Sequence, residues 1–228
     1  MHPAEPSPQP CPIVVLVSGR GTTLAAMLDA QAHGLPIQIR AVLSDRRTAP
    51  ALSIAESHGV ATVALRPRDF SARAAFDRAL LAQAEAFDPA LVVLAGYMRI
   101  IDADVVAAWR GRMINLHPSL LPKYPGLDTY DRALAAGDAT FGASVHFVTD
   151  QLDGGPVIAQ VELAILPGDN PETLSARLRP AEHRLLVEVL RLIAAGRLRL
   201  AAGGVELDRA ILRSPLQLPP RRGGFPGL

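Results

Sequence analysis

Five short apolar runs, each followed by a turn and then by a stretch of helical periodicity, constrain this chain more than any other feature. "IVVLVS" (13–18) precedes "TTLAAMLDAQAHG", and "IQIRAVLS" (37–44) precedes "APALSIAESHG". "VATVAL" (60–65) precedes "SARAAFDRALLAQAEAF", "ALVVLAG" (90–96) precedes "DADVVAAWRG", and "RMINLH" (112–117) runs into a proline-rich loop. Continuously apolar strands that alternate with helices need cover on both faces. The expected fold is therefore α/β: a Rossmann-like, mostly parallel sheet covered by helices on both faces, with antiparallel strands in the C-terminal part. Those later strands are "GASVHFVT" (142–149) and "GPVIAQVELAIL" (155–166), joined by the turn-rich "DQLDG".

"NPETLSARLRPAEHRLLVEVLRLIAAG" reads as a long helix with Asn170 as N-cap and Pro171 at the first helical position. Pro180 is expected to kink or split it. "RLRLAAGGVELD" reads as a small hairpin. The expected organisation is a loose arm at 1–12, one domain at 13–213, and an unstructured proline-rich tail at 214–228.

With 49% hydrophobic residues, 228 residues can bury a sizeable core. The formal charge of +1 argues against a nucleic-acid protein held by a broad basic surface. One cysteine, Cys11, excludes an internal disulfide and a thiolate zinc cluster. The N-terminus lacks the basic and apolar regions of a signal peptide, and no apolar run is long enough for a membrane span. The expected compartment is the cytoplasm, with no membrane partner.

Open parallel sheets bind ligands beyond the C-terminal ends of their strands. That rule points to "SGRGTTL" after strand one, "GYMRI" after strand four and "NLHPS" after strand five. The first is a glycine-rich turn into a helix, where Gly21, Thr22 and Thr23 offer free N–H groups to an anion; an ordinary strand-to-helix turn would look the same. It is not a Walker A loop, and Leu24 occupies the third position of the dinucleotide fingerprint. Asn115 and His117 stand two apart in an extended run, so both side chains leave on one side. An amide and an imidazole aimed at one point suit acyl chemistry, and they equally suit a strand end bonding a nearby loop. Pro118, Pro122 and Pro125 stiffen the loop after His117. Asp153, before two glycines, is either a turn former or a carboxylate that meets His117, fixes its tautomer and raises its pKa. His146 reads as a structural or wall residue and His183 as a helix-surface or capping one. No two histidines have ligand spacing, so no metal is expected.

"NLHPSLLPKYPG", "GASVHFVTDQLDGGPVIAQ", "VVLAGYMRI" and "VSGRGTTL" together resemble the phosphoribosylglycinamide formyltransferase family. The resemblance covers roughly 13 to 200, in order, and is most specific between Asn115 and Gly155. It implies transfer of a formyl group from 10-formyltetrahydrofolate, as co-substrate, to the amine of glycinamide ribonucleotide in purine biosynthesis. It further implies that Asn115, His117 and Asp153 are catalytic and that Gly21, Thr22 and Thr23 hold the ribonucleotide phosphate. Arg179, Pro180, Ala181 and Glu182 match ribonucleotide contacts, with Glu182 at the amine side. Folate contacts match Arg73, Met98, Arg99, Ile100, Ile101, Asn115, Thr149, Asp150, Gln151, Leu152 and Asp153. The implied partners are these small molecules, and the protein a monomer or homodimer. The chain departs from the family pattern at Thr22–Thr23, where many members have Ser-Asn; at Asp128 and Tyr130, where relatives often carry His; and at Pro180, which lacks an N–H. Three rivals are set aside on sequence. A tRNA formyltransferase needs a further C-terminal domain and a formyltetrahydrofolate deformylase an N-terminal one, while an NAD-binding protein leaves Asn115, His117 and Asp153 without a purpose. A non-catalytic folate or nucleotide binder is the remaining alternative.

Overall fold

A computed structural model describes residues 9–220 and 224–226. The five apolar runs become β1 (Cys11–Val17), β2 (Ile37–Ser44), β3 (Ala61–Ala64), β4 (Leu91–Leu94) and β5 (Met113–His117). Between them lie α1 (Thr22–Ala32), α2 (Pro50–Ser57), α3 (Arg73–Glu85) and α4 (Ala103–Ala108). After the proline loop come α5 (Thr129–Ala135), β6 (Thr140–Phe147), β7 (Val157–Ala164) and α6 (Pro171–Ala194). β8 (Leu198–Ala201), β9 (Gly204–Leu207) and β10 (Ala210–Ile211) form a small antiparallel sheet, and β11 (Leu216–Leu218) comes last.

The large sheet runs β11-β7-β6-β5-β4-β1-β2-β3. β1 to β5 are mutually parallel, whereas β6 is antiparallel to both β5 and β7. Both faces are covered, as apolar parallel strands require. One face packs Val15, Ile114, Val145 and Phe147 under α1 and α6 residues such as Leu24 and Leu186. The other packs Val14, Val92 and Met113 under Phe76, Leu80 and Trp109.

Three sequence expectations are corrected. Of the arm expected at 1–12, residues 1–8 lie outside the described residues, and Cys11 and Pro12 already belong to β1. The tail expected to be unstructured from Ser214 contributes β11, which pairs in parallel with β7 (Leu216↔Ala159, Leu218↔Val161). Its residues 221–223 and 227–228 lie outside the described residues. Finally, of the kink or split expected at Pro180 the split is overturned, since α6 continues through it without a break. An interior proline costs ~3 kcal/mol or more. Each leucine fully buried returns roughly 1.5–3 kcal/mol, and Leu174, Leu178, Leu185 and Leu186 are all 0% exposed on the two sides of it. The helix starts as expected, with a capping box in which the Asn170 side chain accepts the Thr173 N–H.

Candidate functional site

In the sheet order β5-β4-β1, three strand ends lie side by side, and the three loops singled out from sequence extend from them. After β1, Gly21 caps α1 with φ 79°, a left-handed conformation that suits glycine. A Cβ there would lie 2.7 Å from the Ala51 Cβ, so the loop also requires glycine in order to pack on α2. Thr22 and Thr23 open α1, where backbone N–H groups have no intrahelical partner.

β5 puts Ile114 on one face of the sheet and Met113, Asn115 and His117 on the other. Antiparallel pairing places His146 of β6 directly opposite Asn115. The β6–β7 register shifts between Val145 and His146, the local irregularity by which bulges re-aim a side chain. The chain then turns at Thr149–Gly155 and brings Asp153 over this face. Gly155 makes the turn possible: a Cβ there would sit 1.8 Å from the Phe147 carbonyl oxygen.

The result is a connected cluster. Asp153 Oδ2 lies 3.4 Å from His117 Nδ1 and accepts the Gly126 N–H at 2.8 Å. Asp153 Oδ1 accepts from Asn115 Nδ2 at 3.3 Å and lies 3.5 Å from His146 Nε2. Asn115 Nδ2 is also 3.1 Å from His146 Nε2. His146 Nδ1 meets the Phe147 carbonyl at 2.9 Å. A carbonyl only accepts, so Nδ1 carries the proton and Nε2 is free to accept from Asn115. His117 Nε2 donates to the Tyr124 carbonyl at 2.9 Å by the same reasoning.

The proline loop is fastened to the sheet by side chains. Ser144 Oγ accepts the Leu121 N–H and donates to the Ser119 carbonyl, while Gln160 Nε2 donates to the Leu121 carbonyl. At its far end Asp138 accepts from both Lys123 Nζ and the Tyr124 hydroxyl. This network holds the Tyr124 carbonyl against His117.

Burial drives the His117 imidazole below its ordinary value, and the Tyr124 carbonyl and Asp153 carboxylate oppose that without overcoming it. The expectation of a raised His117 pKa is thus corrected: Asp153 acts in the expected direction, but desolvation is larger. Burial pushes the Asp153 carboxyl up, yet His146, the Gly126 N–H and His117 outweigh it and hold the group below the usual range. At neutral pH Asp153 is a carboxylate with its oxygens committed to two N–H donors and two imidazoles.

Around this polar cluster the loops present apolar side chains to solvent. Met98 is 60% exposed, Ile100 50% and Leu152 50%. Ile101 is buried, while Arg99 stands over the Phe76 ring at 5.1 Å. The Met98 N–H donates to Ser18 Oγ, joining the loop after β4 to the loop after β1. Thr149, Asp150, Gln151 and Leu152 form the turn that delivers Asp153. Arg73 opens α3 and is exposed. Arg179, Pro180, Ala181 and Glu182 lie midway along α6, where Glu182 accepts from the Tyr130 hydroxyl at 3.3 Å. Burial pushes the Glu182 carboxyl up to about 7, against Tyr130 and Arg179. No group of three or more His, Cys, Asp or Glu among the described residues is arranged to hold a metal ion.

Sequence reasoning missed His146. Its only local signal was its i, i+2 spacing from Ser144 on an alternating strand; its place opposite Asn115 depends on a pairing register between residues 31 apart.

An α/β sheet whose crossing from parallel to antiparallel pairing carries an Asn-His-Asp cluster defines the class. The chain belongs to the formyl transferase family, whose model matches residues 11–190. Among individual relatives, phosphoribosylglycinamide formyltransferase of Escherichia coli (strain K12) is 44% identical over 197 residues, spanning 86% of this chain and 93% of that protein. The solved phosphoribosylglycinamide formyltransferase of Coxiella burnetii superposes with a TM-score of 0.85 at 48% identity, covering 88% of this chain and 94% of that one. A formyltetrahydrofolate deformylase from Pseudomonas putida KT2440 superposes with a TM-score of 0.77 at 28% identity, covering 89% of this chain and 72% of that one.

Proposed function

We infer that this protein is a phosphoribosylglycinamide formyltransferase, moving a formyl group from 10-formyltetrahydrofolate to the amine of glycinamide ribonucleotide. The observation that carries this reading is the Asp153 carboxylate joining His117 and Asn115 at the end of β5, beside the exposed apolar rim of Met98, Ile100 and Leu152. Such a rim suits the flat pterin, and Gly21, Thr22 and Thr23 suit the ribonucleotide phosphate. Arg179 to Glu182 supply further ribonucleotide contacts, with Glu182 toward the amine, and Arg73 meets the acidic tail of the folate.

The chemistry is set by the atoms available. The substrate amine attacks the formyl carbon, a C–N bond forms, and the carbonyl oxygen becomes an oxyanion. Asn115 donates to it from Nδ2, and the His117 Nε2–H stands ready as second donor and proton source. In the free protein these protons are held by His146, Asp153 and the Tyr124 carbonyl, so substrate binding redirects them. The attacking nitrogen, an ammonium after the C–N bond forms, gives up a proton to His117, and His117 passes one to the folate nitrogen directly or through water as the bond to that nitrogen breaks, so the imidazole ends with the proton it began with. Asp153 keeps the imidazole oriented and stabilises it when charged. The co-substrate supplies the one-carbon group, and no step calls for a metal.

The protein acts on small molecules, as monomer or homodimer, in the cytoplasm. No helix of the described residues is long and apolar enough to cross a membrane. Turnover of glycinamide ribonucleotide with a 10-formyl folate, monitored by absorbance of the deformylated folate, tests the reading. Signal that requires the ribonucleotide is expected. Equal signal in a cuvette without it would assign a deformylase instead.

A further inference from the structure

Asp77 is a charged residue with 0% exposure, which is rare unless the group is paired. It sits on α3, and its Oδ2 accepts the Asp102 backbone N–H at 2.9 Å. Its Oδ1 has no partner, a state that costs about 1–3 kcal/mol. Burial pushes its carboxyl up, and the Asp102 N–H is the foremost group opposing that.

The segment Asp77 holds is the apolar rim. At its near end β1 grips it: the Ser18 N–H donates to the Gly96 carbonyl and Ser18 Oγ accepts the Met98 N–H. At its far end α3 grips it, through Phe76 under the Arg99 guanidinium and Asp77 on Asp102. Between the two grips Met98 and Ile100 are left pointing into solvent. α3 also begins with Arg73, one turn before Asp77, about 6 Å along the axis.

We propose that Asp77 is a positioning residue for the folate co-substrate, fixing the apolar segment Met98–Ile101 at a set distance from Arg73 so that one rigid bracket receives both ends of the folate. The inference rests on the formyltransferase reading above. It assigns Asp77 no contact with either substrate.

The test is steady-state kinetics with both substrates varied, together with equilibrium titration of the purified protein with 10-formyl folate. Asp77→Ala should raise KM and Kd for the folate about 5–10-fold, leaving KM for the ribonucleotide within twofold. Asp77→Asn, whose amide oxygen still accepts the Asp102 N–H, should restore most of the folate affinity. A second pair approaches the same bond from its donor and leaves the Asp77 side chain itself unaltered. Asp102 has φ −60°, which proline can adopt, so Asp102→Pro removes the N–H, while Asp102→Ala removes only the side-chain cap. Weaker folate binding in Asp102→Pro than in Asp102→Ala supports the bracket. Equal folate KM in that pair, or a rise in both substrates' KM in Asp77→Ala, overturns it with the enzyme reading intact. Failure of the unaltered protein to bind or consume formyl folate overturns the enzyme reading and the bracket with it.

Discussion

The parallel half of the sheet and its antiparallel flank divide the work differently. On the reading proposed above, the half built from β1 to β5 offers binding groups: the helix-opening N–H groups at Gly21–Thr23 and the apolar side chains of the clamped segment after β4. On the same reading, the flank supplies the reacting side chains. β5 is the seam, parallel to β4 on one side and antiparallel to β6 on the other, and both Asn115 and His117 sit on it. Antiparallel pairing is what sets His146 opposite Asn115 and lets the next turn carry Asp153 back over the strand. A parallel neighbour would need a long crossover before another strand could approach. The proposed binding groups are thus spread along several strand ends, while the proposed reacting groups are concentrated at one change of strand direction.

The largest effects should come from the seam. His117→Ala is expected to lower turnover by about 10²–10⁴, and Asn115→Ala by about 10²–10³. A folded variant of either that keeps near-normal kcat would break the assignment of chemistry to the flank. Asp153→Asn should cost less and do something more specific. Asp153 is one of the groups that raise the His117 pKa, against the larger effect of burial. Removing its charge lets that pKa fall further, so the imidazolium is lost at lower pH. The alkaline side of the kcat profile should move to lower pH, and an unmoved profile would uncouple the two residues.

In the parallel half, Gly21→Val should act on binding. A charged hydrogen bond is worth about 1.5–3 kcal/mol, so displacing the phosphate loop should raise KM for the ribonucleotide roughly tenfold or more. The folate KM should stay in place, and Thr22→Ala should leave both unchanged because only its backbone is used. Ser144→Ala should act on stability more than on rate, since it orphans the Leu121 N–H and the Ser119 carbonyl under the proline loop. A stability loss of about 1–3 kcal/mol in denaturant melts is expected. A larger drop in kcat than in stability would show that the flank's scaffolding reaches His117 through the Tyr124 carbonyl.

The same division explains what could be read from the sequence. The strand-helix rhythm from Ile13 to His117 is local, since each strand is written beside the helix that covers it, and every one of those elements is present in the fold. Asn115 and His117 were legible because i, i+2 spacing on a strand fixes a common side. Asp153 was recognisable through its motif, but its contacts depend on a turn made possible by Gly155. His146 and Asp77 were not legible, because one needs a pairing register and the other a tertiary contact between α3 and the start of α4. The lowered His117 pKa was missed because charge partners can be guessed from residue types, whereas burial emerges only from packing. Pro180 left open whether the helix would split, and leucines buried on both sides of it outweigh local propensity and keep α6 continuous.

β11 has a consequence beyond its three residues. β7 carries eight residues at what would otherwise be the open margin of the large sheet, and a bare margin of that length is a template on which another chain can add a strand. By laying Leu216–Leu218 along Ala159–Val161, the chain covers the middle of that template with residues of its own. A chain cut before Ser214 would uncover that stretch of β7 and is expected to lose dispersity in solution before it loses catalysis.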